Sequence, residues 1–230
     1  WNLILIHRDP RNQLDLFYKE VENIRSQYQI DIKTYNKDAT RQDSIQKLTD
    51  LLKRDIPNIK IDLMLHSIAK GSLKMLHGQN QLNEVDLSIT IQAMGYSLQL
   101  WVMSLFEANL LNKPAKILAF TSEGNQKAWP GYAAVSSAKG VLEAISRSIA
   151  VEYAKYGITS NCIQAGLTRT DAFKLIPNSE KLAKAREKQN PMGRLTTPED
   201  VANVVYMLSL PEASWINGSI IRADGGESIT

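Results

Sequence analysis

Short apolar runs recur along this chain with a helix-length stretch after each, and that alternation restricts the fold more than any other feature. Trp1 to His7 (WNLILIH), Ile30 to Tyr35, Ile61 to His66, Ala115 to Thr121, Thr159 to Gln164 and Gly218 to Ala223 read as strands. Asn12 to Tyr28 reads as an amphipathic helix, with Leu14, Phe17, Val21 and Ile24 at helical spacing. Further helices are expected over Asp43 to Arg54, over Glu84 to Leu111 as one long element, and from Gly131 onward. Thr197-Pro198-Glu199-Asp200 opens another, with a capping hydroxyl, a proline at the first position and acids in the first turn. Strands separated by helices pair in parallel and are covered on both faces, and ligands then bind beyond the carboxyl ends of the strands.

The expected fold is therefore α/β, a Rossmann-like doubly wound parallel sheet. With 230 residues and 43% hydrophobic content, residues 1–230 can bury the core of a single domain. The start of the chain is the anomaly. A dinucleotide-binding fold should begin with a strand, a glycine-rich turn and a helix whose N-terminus holds the pyrophosphate, yet no glycine occurs before Gly71. The first strand-turn-helix unit, roughly 20 to 40 residues, is expected to lie upstream of Trp1. That strand is the central one, and without it the two halves cannot hydrogen-bond into one sheet.

The lone Cys162, in the strand-like ITSNCIQ, excludes an internal disulfide and reads as core. No apolar run is long enough to span a bilayer and no signal segment opens the chain, so a cytoplasmic protein is expected. A net charge of +3 is too slight to imply nucleic acid. His7, His66 and His77 are scattered and lack ligand spacing, so no metal is expected.

The chemistry concentrates in Phe120 to Lys139, FTSEGNQKAWPGYAAVSSAK, where a strand hands over to a helix. Tyr132 and Lys139 are seven residues apart, about two helical turns, so both can face one site. A nearby ammonium favours the phenolate and is expected to lower the tyrosine pKa toward the working pH. The phenol can then donate to an oxygen gaining negative charge, with Ser122 as a second donor. In a chain with 8 Tyr a pair at this spacing can arise by chance. The apolar strand, Thr121-Ser122 and the small-residue-rich helix that follows give it context.

These residues resemble the short-chain dehydrogenase/reductase family, and within it the enoyl-acyl-carrier-protein reductase branch. Most of that family spaces its tyrosine and lysine four apart, which here would fall on Val135; the enoyl reductases use the spacing of Tyr132 and Lys139. His66-Ser67-Ile68-Ala69 resembles their HSI motif, and Gln164-Ala165-Gly166-Leu167-Thr168-Arg169-Thr170 their SAGxxRT segment. The run from Asp171 to Ala202, with the closing ADGGESI, is most similar to the NADPH-using third type. The displaced tyrosine has its own rationale. Hydride addition to the β-carbon of an enoyl thioester leaves charge on the thioester oxygen, further along the substrate than in ketone reduction. Three residues along a helix is about 4.5 Å, the right scale for that displacement.

The resemblance implies an NADPH-dependent enoyl thioester reductase of fatty acid biosynthesis, with Tyr132 stabilising the enolate and Lys139 holding the ribose. Arg8 follows the first strand, where an arginine favours the 2′-phosphate of NADPH, although Asp9 beside it clouds the reading. Asp38 and Ala39 match positions flanking the adenine, and Asp38 can equally cap a helix. Ser67, Ile68 and Ala69 match positions beside the nicotinamide ribose, and Gly166, Thr168 and Thr170 match the nicotinamide or pyrophosphate side. Two departures stand out: Gln92 replaces the asparagine of the family's proton relay, and Ser122 replaces the second tyrosine of many enoyl reductases. Ser122 thus reads as a cofactor support as much as a donor.

Trp129 reads as acyl-pocket lining or packing. Phe173, Leu175 and Ile176 read as part of a substrate-covering lid or as a plain core-packed helix. Lys181, Lys184, Arg186, Lys188 and Arg194 can dock an acidic acyl carrier protein or simply form a solvated face. Gly140, Ala144 and Ser148 form a small-residue face that the family commonly uses for a dimer within a tetramer. Two alternatives stay open: a carbonyl or 3-ketoacyl reductase, and a catalytically silent member serving as an assembly subunit.

Overall fold

A computed structural model describes residues 1–174, 176 and 179–230. The chain divides into two compact units, Trp1–Pro57 and Asn58–Thr230. The first holds β1 (Leu3–His7), a short 3-10 turn, α1 (Leu14–Tyr28), β2 (Ile32–Asn36) and α2 (Gln42–Asp55). β1 and β2 pair in parallel from Leu3 opposite Ile32 to His7 opposite Asn36. α2 buries Ile45, Leu48, Thr49 and Leu52, the spacing that puts one face of a helix inward. α1 is thinner in its packing: Val21 is buried, but Ile24, expected on the same face, is exposed. The helix ends at Gln29, which takes the left-handed conformation at φ 50°.

The second unit holds β3 (Ile61–His66), α3 (Glu84–Ile91), α4 (Ser97–Glu107), β4 (Leu111–Thr121), α5 (Ala133–Glu152), β5 (Ile158–Ala165), α6 (Asp171–Lys174), α7 (Ser179–Gln189), α8 (Pro198–Ser209) and β6 (Ile220–Ala223). Its strands form a parallel sheet in the order β3-β4-β5-β6. Among the described residues the strands pair as two sheets, β1-β2 and β3-β4-β5-β6. Side chains alternate across the larger sheet. Leu118 and Ile163 pack with Val201 and Leu208 of α8, while Thr121 and Ser160 hydrogen-bond to Glu143 and Ser146 of α5 on the other face. Helices therefore cover both faces, and the fold is the expected Rossmann-like α/β arrangement. Cys162 faces α5, is buried as expected, and has its thiol pKa pushed up by that burial.

The long helix expected from Glu84 to Leu111 is three pieces. α3 and α4 are separated by a π turn at Gln92–Tyr96, and α4 stops at Glu107 because Asn109 turns left-handed at φ 56°. Gly95 in that turn packs against α5 so closely that a Cβ there would lie 2.8 Å from the Ala138 carbonyl oxygen. Two capping boxes fix helix starts, Asn83 with Asp86 for α3 and Thr197 with Asp200 for α8, the latter as expected. Among the described residues, no helix is long and apolar enough to cross a membrane.

Candidate active site

Parallel pairing sets the carboxyl ends of β3, β4 and β5 side by side: His66 lies opposite Ala119, and Thr121 opposite Gln164. β4 then runs into Ser122, which caps the 3-10 turn Glu123–Asn125 by accepting from the Gly124 amide at 3.0 Å. The chain returns through Trp129 to Tyr132, the residue at the start of α5. Ser122 Oγ and Tyr132 Oη end up 3.4 Å apart, a long contact rather than a strong hydrogen bond.

Gly124 makes this approach possible. A Cβ on it would lie 2.2 Å from Cε1 of the Tyr132 ring and 3.2 Å from Ser122 Oγ. A ring is not a flexible chain end, so it would have to move bodily. Gly124→Ala is expected to destabilise the protein by about 1–3 kcal/mol, read as a lower urea midpoint. An unchanged midpoint would mean that the Tyr132 ring is free to yield to the added methyl.

Lys139, two turns into α5, is buried, and donates from Nζ to the Phe120 carbonyl at 2.7 Å. Burial pulls its pKa down to about 8, against the opposing pull of Cys162 and Glu143. Tyr132 moves the other way from the sequence expectation. Its pKa is raised by burial, the Ser122 contact opposes that, and Lys139 is not among the causes. The ammonium is turned to the backbone of β4, so the phenol stays protonated at neutral pH.

His66 is buried and its pKa is pulled down to about 3 by burial and by the charge of Lys139. Ser97 donates its hydroxyl hydrogen to the Ala93 carbonyl at 2.7 Å, so the 2.8 Å contact from His66 Nε2 is an N–H donated to Ser97. His66 is a neutral imidazole whose buried Nδ1 accepts no hydrogen bond from the described residues. Gln92, at the first position of the π turn, points to solvent and does not join this group. Glu143 does join it, accepting from Thr121 at 2.6 Å. The sequence held a signal for it, because Lys139 and Glu143 are four apart on one helix.

Other sequence candidates have local duties. Thr168 Oγ1 donates to the Gly166 carbonyl at 3.0 Å, and Thr170 Oγ1 accepts from the Phe173 amide at 3.2 Å. Gly166 is required by crowding, since a Cβ there would lie 2.3 Å from Thr196 Oγ1. Ile68 packs on Met94, Val135 and Ala138 beside Tyr132, whereas Ser67 and Ala69 are exposed at the end of β3. Phe173 is core, clustered with Ala183 and Leu195, and Ile176 packs on that cluster; Leu175 lies outside the described residues. Arg186, expected on a solvated or docking face, is turned inward to Glu123, and Arg194 pairs with Asp200.

In the first unit, Arg8 and Asp38 form an ion pair at 3.6 Å, with the arginine side chain 62% exposed. Asp38 also accepts from the amide and hydroxyl of Thr40 at 2.8 and 2.6 Å, which makes it the cap of the turn before α2. Among the described residues there is no group of His, Cys, Asp and Glu able to hold a metal ion.

The larger unit fits the nicotinamide end of a dinucleotide. Lys139 makes one hydrogen bond among the described residues, leaving N–H groups for ribose hydroxyls.

A sequence model described as Enoyl-(Acyl carrier protein) reductase matches residues 11–228. Over 173 residues, 74% of this chain, the sequence is 34% identical to the enoyl-(acyl-carrier-protein) reductase (NADH) of Haemophilus influenzae. The chain spans 65% of that relative's length. The crystal structure of enoyl-(acyl-carrier-protein) reductase (NADH) from Aquifex aeolicus superposes with a TM-score of 0.83 at 25% identity, over 100% of this chain and 86% of that one. The Bacillus cereus enoyl-acyl carrier protein reductase, solved with NADP+ and indole naphthyridinone, gives 0.84 at 21% identity, again over 100% and 86%. With its tyrosine and lysine at the seven-residue spacing, this chain belongs to the enoyl-(acyl carrier protein) reductase family of the short-chain dehydrogenases/reductases.

Proposed function

We propose that this protein is an NADPH-dependent enoyl thioester reductase of fatty acid synthesis. The observation that carries the reading is the 3.4 Å approach of Ser122 Oγ to Tyr132 Oη just past the carboxyl end of β4, with Lys139 buried two turns into the helix that Tyr132 precedes. When bound, the reduced nicotinamide supplies a hydride to the β-carbon of the enoyl thioester. Tyr132, kept protonated by burial, donates to the thioester oxygen as it becomes an enolate oxygen. Lys139, mostly charged below pH 8, holds the ribose hydroxyls. Ser122 orients the phenol; Ser67, Ile68 and Ala69 line the ribose, and Gly166, Thr168 and Thr170 the other side of the nicotinamide.

Within the first unit we propose Arg8 as a ligand for the 2′-phosphate of NADPH, with Asp38 and Ala39 beside the adenine. The named relatives differ here, two being NADH enzymes and one solved with NADP+. Arg8→Ser is accordingly expected to lower kcat/KM for NADPH by about tenfold, since a charge-assisted contact at an exposed site is worth little more, and to leave NADH unchanged. Equal losses with both cofactors would place Arg8 elsewhere.

Lys181, Lys184 and Lys188 are exposed on α7 and form the face we propose for acyl carrier protein. Gly140, Ala144 and Ser148 are exposed on α5, Gly140 with open space around it, and we propose that this face pairs subunits of a dimer or tetramer. The deciding experiment follows NADPH oxidation with a short enoyl thioester and, in parallel, the matching β-ketoacyl thioester. Turnover of the enoyl substrate alone supports this function. Turnover of the ketoacyl substrate alone makes the protein a carbonyl reductase, and no turnover or cofactor binding makes it a silent subunit.

A further inference from the structure

Ser122 and Tyr132 stand at the two ends of a loop, and a loop holds a side chain only as firmly as its anchors allow. One anchor comes from far along the chain. Arg186, on α7, places Nη2 3.0 Å from Glu123 Oε1, the residue that follows Ser122. The same guanidinium lies over the Trp129 ring, 5.7 Å from its centroid, and that ring meets Tyr132 edge-on at 5.2 Å. A single side chain thus grips the loop at both ends.

The contact is enclosed: the Arg186 and Glu123 side chains are 12% and 9% exposed. Glu123 also faces Lys127 Nζ at 2.8 Å, and neither carboxylate oxygen has a hydrogen bond of proper geometry, so these are charge pairs. Glu227, buried close by, accepts from the Leu167 amide at 3.0 Å. Its carboxyl pKa is raised by burial and by the charge of Glu123, and Arg186 opposes that rise. Removing the guanidinium leaves two buried acids with less compensation. Assembling such a pair costs desolvation, and losing one partner costs more, so the pair serves arrangement more than stability.

We infer that Arg186 is a positioning residue, acting through Glu123 and Trp129 to hold the Tyr132 hydroxyl, so that the donor is in place only when α7 is seated. The inference rests on the reductase reading above. It gives the inward turn of Arg186 a purpose that a basic docking run does not.

The test uses the intact protein with Arg186→Ala, Arg186→Lys, Glu123→Gln and the Arg186→Ala/Glu123→Gln double variant. Displacing a reacting group by about 1 Å costs up to about a hundredfold, so Arg186→Ala is expected to lower kcat about tenfold to a hundredfold, with KM for NADPH within about twofold. Arg186→Lys should regain the part owed to charge, and the double variant should be no slower than the slower single one. Trypsin, applied without substrate, should cut α7 at Lys184 or Lys188 faster in Arg186→Ala than in the parent. Unchanged kcat in Arg186→Ala overturns the inference, as does a loss matched by the folded fraction and additive with Glu123→Gln. If the parent shows no turnover, the reductase reading falls and the positioning role with it, while the trypsin contrast still reports whether Arg186 anchors α7.

Discussion

Replacing Tyr132 with phenylalanine is expected to lower kcat for enoyl reduction by about a hundredfold to ten-thousandfold, while the urea midpoint stays within experimental error or rises slightly. The hydroxyl makes one contact among the described residues, the 3.4 Å approach to Ser122, so the fold loses little with it. The ring keeps its place against the cluster of Ala93, Met94, Val135 and Ala138. What disappears is the donor to the enolate oxygen. Because burial raises the phenol's pKa above 10, the donor form is present throughout the neutral range and is lost only as pH climbs past that value. An alkaline limb near pH 8 in the parent's rate profile therefore belongs to another group. If Tyr132→Phe retains most of the rate, the oxyanion donor lies elsewhere and the reductase reading loses its main support.

Lys139→Met should show the opposite signature, a protein that binds and turns over NADPH poorly yet is at least as stable as the parent near neutrality. The sign follows from the shift. Lys139 has a folded pKa of about 8 against an ordinary value of 10.5, so below pH 8 the folded state carries a buried charge at its full cost. That cost is on the order of 3 kcal/mol. Methionine removes it but leaves the Phe120 carbonyl without its donor, which returns about 1–3 kcal/mol. Between pH 8 and 10.5 the unfolded lysine holds a proton that the folded one has released, so the parent gains stability as pH rises. The advantage of the methionine variant should shrink across that window and be gone above it. Urea titrations at pH 7 and pH 10 measure it, and an advantage that does not change with pH would mean that Lys139 is not charged inside the fold. The rate profile of Lys139→Met should also lack any limb near 8.

Much of this was legible in the residues themselves. The strand and helix order follows from apolar periodicity, and the start of α8 from Thr197-Pro198-Glu199-Asp200, because those signals are local. Tyr132 and Lys139 stand out in the sequence because a seven-residue interval spans about two helical turns, and the structure sets Tyr132 at the start of α5 with Lys139 two turns in. What the sequence hid depends on contacts between distant segments. Arg186 sits among lysines that are all solvated, and nothing in its neighbours reveals that it meets Glu123, 63 positions earlier. The π turn at Gln92–Tyr96 arises where Gly95 packs on α5, so composition reads the segment as plain helix. Proximity of Lys139 to the phenol was inferred from spacing, but the direction of the tyrosine shift is set by how deeply the ring is enclosed, a property that no spacing encodes.

The burial of Cys162 has a practical side. With the single thiol of residues 1–230 inside the sheet and its pKa raised, this part of the protein presents no reactive thiol to solvent in its folded state. A cysteine introduced at an exposed position, such as Lys184→Cys on α7, would then be the one accessible thiol of residues 1–230 to accept a maleimide fluorophore. Without any background substitution, a dye at that position could follow the seating of the helix in real time as cofactor and substrate arrive.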